Sequence, residues 1–218
     1  MITMSNSALV DYTEISPNNS GERDHVIDRI TPHCFVGQVT VERMGQSFVN
    51  PEKQASSNYG IGYDGRVGMY VPENMRSWCS SDRANDERSV TIECACDSYD
   101  PYKFNTTVYA KLITLCTDIC SRNGKNCLLW ISDKQTALDY QPAQNEMVLT
   151  VHRWFASKAC PGDWMYSHMQ DLADKVTQNL CNVIYRVQVG AFRNKTYAMN
   201  YLKKVQDAGF PDAYITTK

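Results

Sequence analysis

The chain has 218 residues, 43% hydrophobic and 21% charged, with a formal net charge of −2. That length suits one well-cored domain with a small appendage rather than two average domains. The charge balance supplies no field to gather nucleic acid or an anionic lipid surface, and no segment approaches the length of an apolar membrane span, so neither nucleic acid nor membrane is an expected partner.

The opening stretch, MITMSNSALVDYTEISPNNSGERDH, lacks a basic segment followed by a long apolar run, which predicts cytoplasmic synthesis without a signal peptide. The nine cysteines are odd in number, and together with the missing export signal they predict mostly reduced thiols rather than a disulfide framework.

In chain order, residues 1–24 read as an extended lead-in and HVIDRITPHC as a buried strand ending in His33. SNYGIGYDGRVGMYV carries a D-G turn between two short apolar runs, which predicts a hairpin, and SVTIECACD reads as another strand. From Asn105 to Asn123, Val108, Leu112, Ile113, Leu115, Cys116 and Ile119 recur at helical spacing, with Gly124 as the stop. CLLWIS and MVLTVH are read as strands, the second with His152 at its end, and DWMYSHMQDLADKVTQNL as one amphipathic helix opened by Pro161, Gly162 and Asp163.

Strands alternating with helices predict an α/β fold, a mixed central sheet flanked by helices, over residues 1–182. Residues 183–218 restart the pattern as a small β-α-β unit: VIYRVQVGAF, a helix through NKTYAMNYLKKVQDAG, then FPDAYITT.

A catalytic zinc takes three protein ligands and keeps a fourth position open, and His33, His152 and Cys160 meet that count. Two sit at predicted strand ends, and Cys160 lies in a loop long enough to turn back toward His152. Spacing alone leaves two readings open, because a strand-end histidine and a lone cysteine serve equally as structural residues. Cys94 and Cys96 share the strand face opposite Glu93 and are expected in the core; Cys34 should point away from the His33 side. Cys116 and Cys120 are spaced to clip a metal or to pack in a helical core.

The motifs ITPHCFVGQ, SSNYGIGYDGRVGMYV, ANDERSVTIECA and LTVHRWFASKACPGDW occur in the order found in the amidase-2 family, and over residues 25–182 the chain resembles those zinc-dependent N-acetylmuramoyl-L-alanine amidases, particularly the amidases encoded by phages, as endolysins, and by gut Firmicutes. The fold is shared with peptidoglycan recognition proteins. The resemblance implies Zn2+ held by His33, His152 and Cys160, with Glu93 as general base and then acid, and Lys158 stabilising the oxyanion. It implies hydrolysis of the amide joining N-acetylmuramic acid to L-alanine, on the cell wall after release. The alternative it leaves is a protein on the same fold that binds muropeptide without cutting it; such members typically lose the third ligand, which Cys160 supplies here. A weaker reading is a cytoplasmic recycling amidase.

Where many members carry a tyrosine, this chain has Ser57, with Tyr59 two residues on and expected to share its face. Trp78, Asn85, Arg88 and Tyr59 are the candidate substrate-groove residues. The C-terminal unit resembles the first half of a SPOR domain, a module that binds glycan strands stripped of peptide. Having only one half, it is expected to pair with a second copy in a homodimer or to dock on the amidase.

Overall fold

The computed structural model describes residues 6–181 and 187–217. By their contacts the residues fall into two units, 1–182 and 183–218. No described helix is long and apolar enough to cross a membrane.

The first unit is built on a seven-stranded sheet. Its strands are β1 (Val10–Thr13), β3 (Arg29–Val36), β4 (Tyr59–Ile61), β5 (Val67–Met69), β7 (Ser89–Cys96), β8 (Cys127–Leu129) and β9 (Glu146–Leu149), in the order β1-β5-β4-β7-β3-β9-β8. A separate antiparallel pair joins β2 (Asn19–Glu22) to β6 (Met75–Ser77). Parallel and antiparallel pairs coexist, which makes the sheet mixed. The lead-in is therefore not merely extended: β1 pairs in parallel with β5, so the first strand belongs to the domain.

The hairpin forms as its turn residues require. Tyr59 pairs with Met69 and Ile61 with Val67, and Gly65 adopts φ +83°, a conformation that favours glycine. The two longest strands, β3 and β7, lie side by side in parallel near the centre of the sheet, in register from Arg29 opposite Ser89 to Val36 opposite Cys96. Side chains alternate across a strand, so this register sends Thr31, His33, Thr91 and Glu93 to one face, and a slip of one residue would reverse it. His33 lies within β3 rather than at its end.

The opposite face carries the main core against α3 (Thr106–Arg122), which buries Val108, Leu112, Leu115, Cys116, Ile119 and Cys120. Asn105 caps this helix by accepting from the Val108 amide, and Gly124 follows at φ +68°. Cys94 and Cys96 are buried in the same core, and Cys120 meets the Met147 sulfur at 3.7 Å. Truncating a fully buried leucine such as Leu112 to alanine costs about 2–5 kcal/mol.

The helix read over residues 163–180 is two, α5 (Asp163–Ser167) and α6 (Met169–Leu180). His168 stands at the break: its ring stacks on Trp164 at 4.0 Å, and its Nδ1 lies 2.7 Å from the Trp164 carbonyl oxygen. Three short helices complete the unit, α1 (Val41–Phe48), α2 (Arg83–Arg88) and α4 (Lys134–Asp139).

In the second unit α7 (Lys195–Asp207) forms, capped by Asn194, but 187–192 and 210–217 are not strands; residues 183–186 of the first expected strand lie outside the described residues. A strand needs a ladder partner, and α7 buries none of its residues while Val187, Phe210 and Tyr214 stand exposed. So small a unit cannot enclose a core alone.

Candidate metal centre and catalytic groups

The route by which the chain gathers its three candidate ligands begins at Pro32. Asp28 and Ile30 accept from Val148 and Thr150, so alternate residues of β3 face β9. Register pairing with β9 covers only Arg29 and Ile30. Pro32, which has no N–H, thus falls where its missing donor would face a strand that has already ended. Beyond β9 the chain makes a short helical turn, His152–Trp154, and loops back along this vacated side of β3.

The returning loop brings Cys160 Sγ to 3.3 Å from Nδ1 of His33. The rings of His33 and His152 are 5.1 Å apart, and the ligand atoms of His33, His152 and Cys160 all lie within 4.8 Å of one another. Cys34, although on the opposite face of β3, is close enough to the loop to influence the Cys160 thiol, its own thiol being lowered and that of Cys160 raised.

Arg153 fastens the loop. Its amide donates to the Cys160 carbonyl at 3.1 Å, its guanidinium donates to the Ala159 carbonyl at 2.5 Å and pairs with Asp163 at 2.9 Å, and it lies 4.8 Å over the Tyr166 ring. One residue next to His152 therefore ties down the segment that carries Cys160.

Glu93, opposite His33 in register, stands on the same face. Its Oε1 lies 3.8 Å from Cys79 Sγ, and His33, Cys79 and Glu93 form a second close group. Burial foremost, and then the charge of Cys34, pushes the Glu93 carboxyl up to about 8. Burial, then the neighbouring charge of His152, holds His33 well below its ordinary value, and His152 is lowered by burial and by Lys158. Nε2 of His33 and Oε2 of Glu93 are buried with no hydrogen-bond partner among the described residues.

Two imidazoles and a thiol are a donor set that suits zinc. Ligand atoms about 2.0–2.3 Å from a tetrahedral zinc stand roughly 3.5 Å apart, close to the His33–Cys160 separation. The residues present fit the ion.

Lys158 is exposed on the loop, near enough to His152 to depress it. Trp78 is half-buried, its Nε1 donating to Ser20 at 2.7 Å, next in sequence to Cys79. Two of the other groove candidates, Tyr59 and Asn85, are corrected. Tyr59 is fully buried on the α3 side, where its hydroxyl donates to Glu73 at 2.6 Å and accepts from the Ser7 amide at 2.9 Å. The Ser57 hydroxyl faces the Tyr59 carbonyl and the Thr91 carbonyl and hydroxyl, so the two side-chain hydroxyls find different partners. Asn85 is fully buried, its side chain engaged by Thr31, Ser80 and Thr150, which leaves no surface for a polymer. Arg88 is held bidentately by Asp28 at 2.8 and 2.5 Å. Cys79, Ser81, whose hydroxyl is 3.1 Å from His152 Nε2, and Arg153 were not singled out in the sequence. Only adjacency to Trp78 and His152 pointed to them.

The family profile described as N-acetylmuramoyl-L-alanine amidase matches residues 23–163, and that of the SPOR domain matches residues 182–218. Comparison with curated proteins gives no significant match. Among solved structures the chain is similar to a selenomethionine derivative of AmpD, with a TM-score of 0.54 and 16% identity over 79% of this chain and 99% of that one. It is similar also to the N-acetylmuramoyl-L-alanine amidase LysC from Clostridium intestinale URNW, with a TM-score of 0.50 and 15% identity over 74% and 93%. The catalytic domain of XlyA gives a TM-score of 0.50 and 16% identity over 77% and 99%. At these identities the likenesses establish the fold.

Proposed function

Because the chain belongs to the N-acetylmuramoyl-L-alanine amidase family, with a SPOR match at its C-terminus, we propose that it is a zinc-dependent, endolysin-like hydrolase of the amide between N-acetylmuramic acid and L-alanine. The observation that carries the metal dependence is the convergence of His33, His152 and Cys160 beside a buried Glu93.

His33, His152 and Cys160 would hold the ion. When bound, zinc supplies Lewis acidity, which makes water a nucleophile near neutral pH and polarises a scissile carbonyl. Glu93 takes the proton of the attacking water and returns it to the leaving alanine amine, a double role suited to a carboxyl raised toward neutrality. Lys158, at the loop's open edge, offers its ammonium to the oxyanion of the tetrahedral intermediate. The half-buried Trp78 supplies an apolar wall for the muramyl group or its peptide.

Both matched families support contact with peptidoglycan, the amidase at the muramyl peptide and the C-terminal unit at denuded glycan strands. The residues that the C-terminal unit leaves exposed support its pairing with a second copy. Light scattering at micromolar concentration should give the mass of two chains, and a one-chain mass overturns the dimer. The activity itself is tested on purified wall: the proposal requires new alanine amino termini without new reducing sugar ends, and new reducing ends would mark a glycosidase instead.

A further inference from the structure

Along β3 the face that holds His33 also holds Arg29, four positions earlier. Arg29 is only 5% exposed, yet its two hydrogen bonds are long, 3.3 Å to Asn85 Oδ1 and 3.4 Å to the Leu138 carbonyl. Among the described residues no carboxylate forms an ion pair with it. The nearby acids are engaged elsewhere: Asp28 is gripped by Arg88, and Asp82 caps α2 by accepting from the Asn85 amide at 2.7 Å. A buried guanidinium without a counter-ion is costly, and burial, reinforced by Arg88, depresses its pKa.

Arg29 lines a cavity of about 440 Å³ together with Arg88, whose guanidinium is already paired with Asp28, and with Lys134, Trp154 and Phe155. Trp154 and Phe155 directly follow the His152 turn, and Asp82, also in the lining, follows Ser81, which contacts His152. Three of the lining residues are thus chain neighbours of His152 or of Ser81, which touches it.

We propose that this cavity is the subsite for a free carboxylate of the wall peptide, with Arg29 and Lys134 as its cationic partners and the two aromatic rings against the peptide's aliphatic part. The inference rests on the amidase reading. Arg29 and His33 are four positions apart on the strand, about 13 Å between their backbones, so the carboxylate sits about three or four extended peptide residues from the cut bond. A carboxylate there receives charge-assisted hydrogen bonds from a guanidinium already fixed in place, where a carboxamide receives weaker ones.

The test uses two soluble muramyl tetrapeptides, one with its carboxylates free and one with them converted to carboxamides. Binding is measured by calorimetry to the full-length, metal-stripped protein, and cleavage with the zinc-loaded protein. The acid form should bind about ten-fold more tightly, and the preference should vanish in Arg29→Gln and shrink in Lys134→Gln. Should Arg29→Gln fail to fold, Lys134→Glu on the exposed start of α4 takes its place, and an undiminished preference in that variant overturns the proposal. Equal affinity of the wild type for both peptides, with both still cleaved, overturns the subsite and leaves the amidase reading standing. Neither bound nor cleaved overturns both.

Discussion

His33 and Cys160 stand 127 residues apart in the chain, and Nδ1 of one lies 3.3 Å from Sγ of the other. The contact exists because β9 ends while β3 runs on, and the loop after His152 fills the vacated edge. If the pair are metal ligands, Cys160→Ser should lower zinc affinity by at least about 100-fold, as removal of a soft ligand requires. Competition against a chromophoric chelator measures it. Cys160→Asp, which keeps an anionic donor of a kind that zinc accepts, should keep the ion.

Glu93→Gln should reduce kcat by about 10²–10⁴-fold with bound zinc unchanged. It also has a pH signature in the metal-free protein. The folded carboxyl titrates near 8 and the unfolded one near 4.3, so the stabilisation from keeping the proton is full below the unfolded value and is lost as pH rises through 8. Glutamine removes that loss. The Tm of the variant relative to wild type should therefore be higher at pH 8 than at pH 5, and the contributions of His33 and His152 largely cancel in the difference. A pH-independent difference would show that Glu93 ionises normally.

Arg153 holds the Cys160 loop by its amide, its guanidinium and its ion pair with Asp163. Arg153→Gln should weaken zinc binding by about 10–100-fold, the usual effect of losing an outer support. A cobalt-substituted sample should show a weaker thiolate charge-transfer band. Equal zinc affinity in variant and wild type would mean that the loop keeps its shape without the clamp.

Tyr59→Phe removes a donor to buried Glu73 and an acceptor for the Ser7 amide, at a cost of about 1–3 kcal/mol. For a unit of this size, thermal unfolding should shift down by roughly 2–12 °C. The kcat should not change, because the hydroxyl lies on the α3 side of the sheet, across from Glu93.

The central strands, the hairpin and α3 were legible because each carries its own signal: apolar runs, a D-G turn, and helical spacing ended by Asn123-Gly124. The three metal-ligand candidates became legible when ordered motifs were added to spacing. What stayed hidden depends on tertiary context. Tyr59 and Ser57 are two apart and should share a face, but their hydroxyls find different partners. Asn85 and Arg88 look like loop polar groups until α2 folds and aims them at Thr31 and Asp28. Helices as short as α2 and α4 run too few turns to show a period. Cys79 belongs to the site only because the segment after β6 brings it beside Glu93. The C-terminal strands had the right composition and no partner ladder among the described residues.

The most direct test is digestion of purified Gram-positive peptidoglycan before chelation, after exhaustive chelation, and after adding back zinc, with new alanine amino termini counted each time. The account predicts release that chelation abolishes and zinc restores in wild type but not in Cys160→Ser. Release that persists in fully metal-stripped protein, or is restored equally in Cys160→Ser, would contradict it.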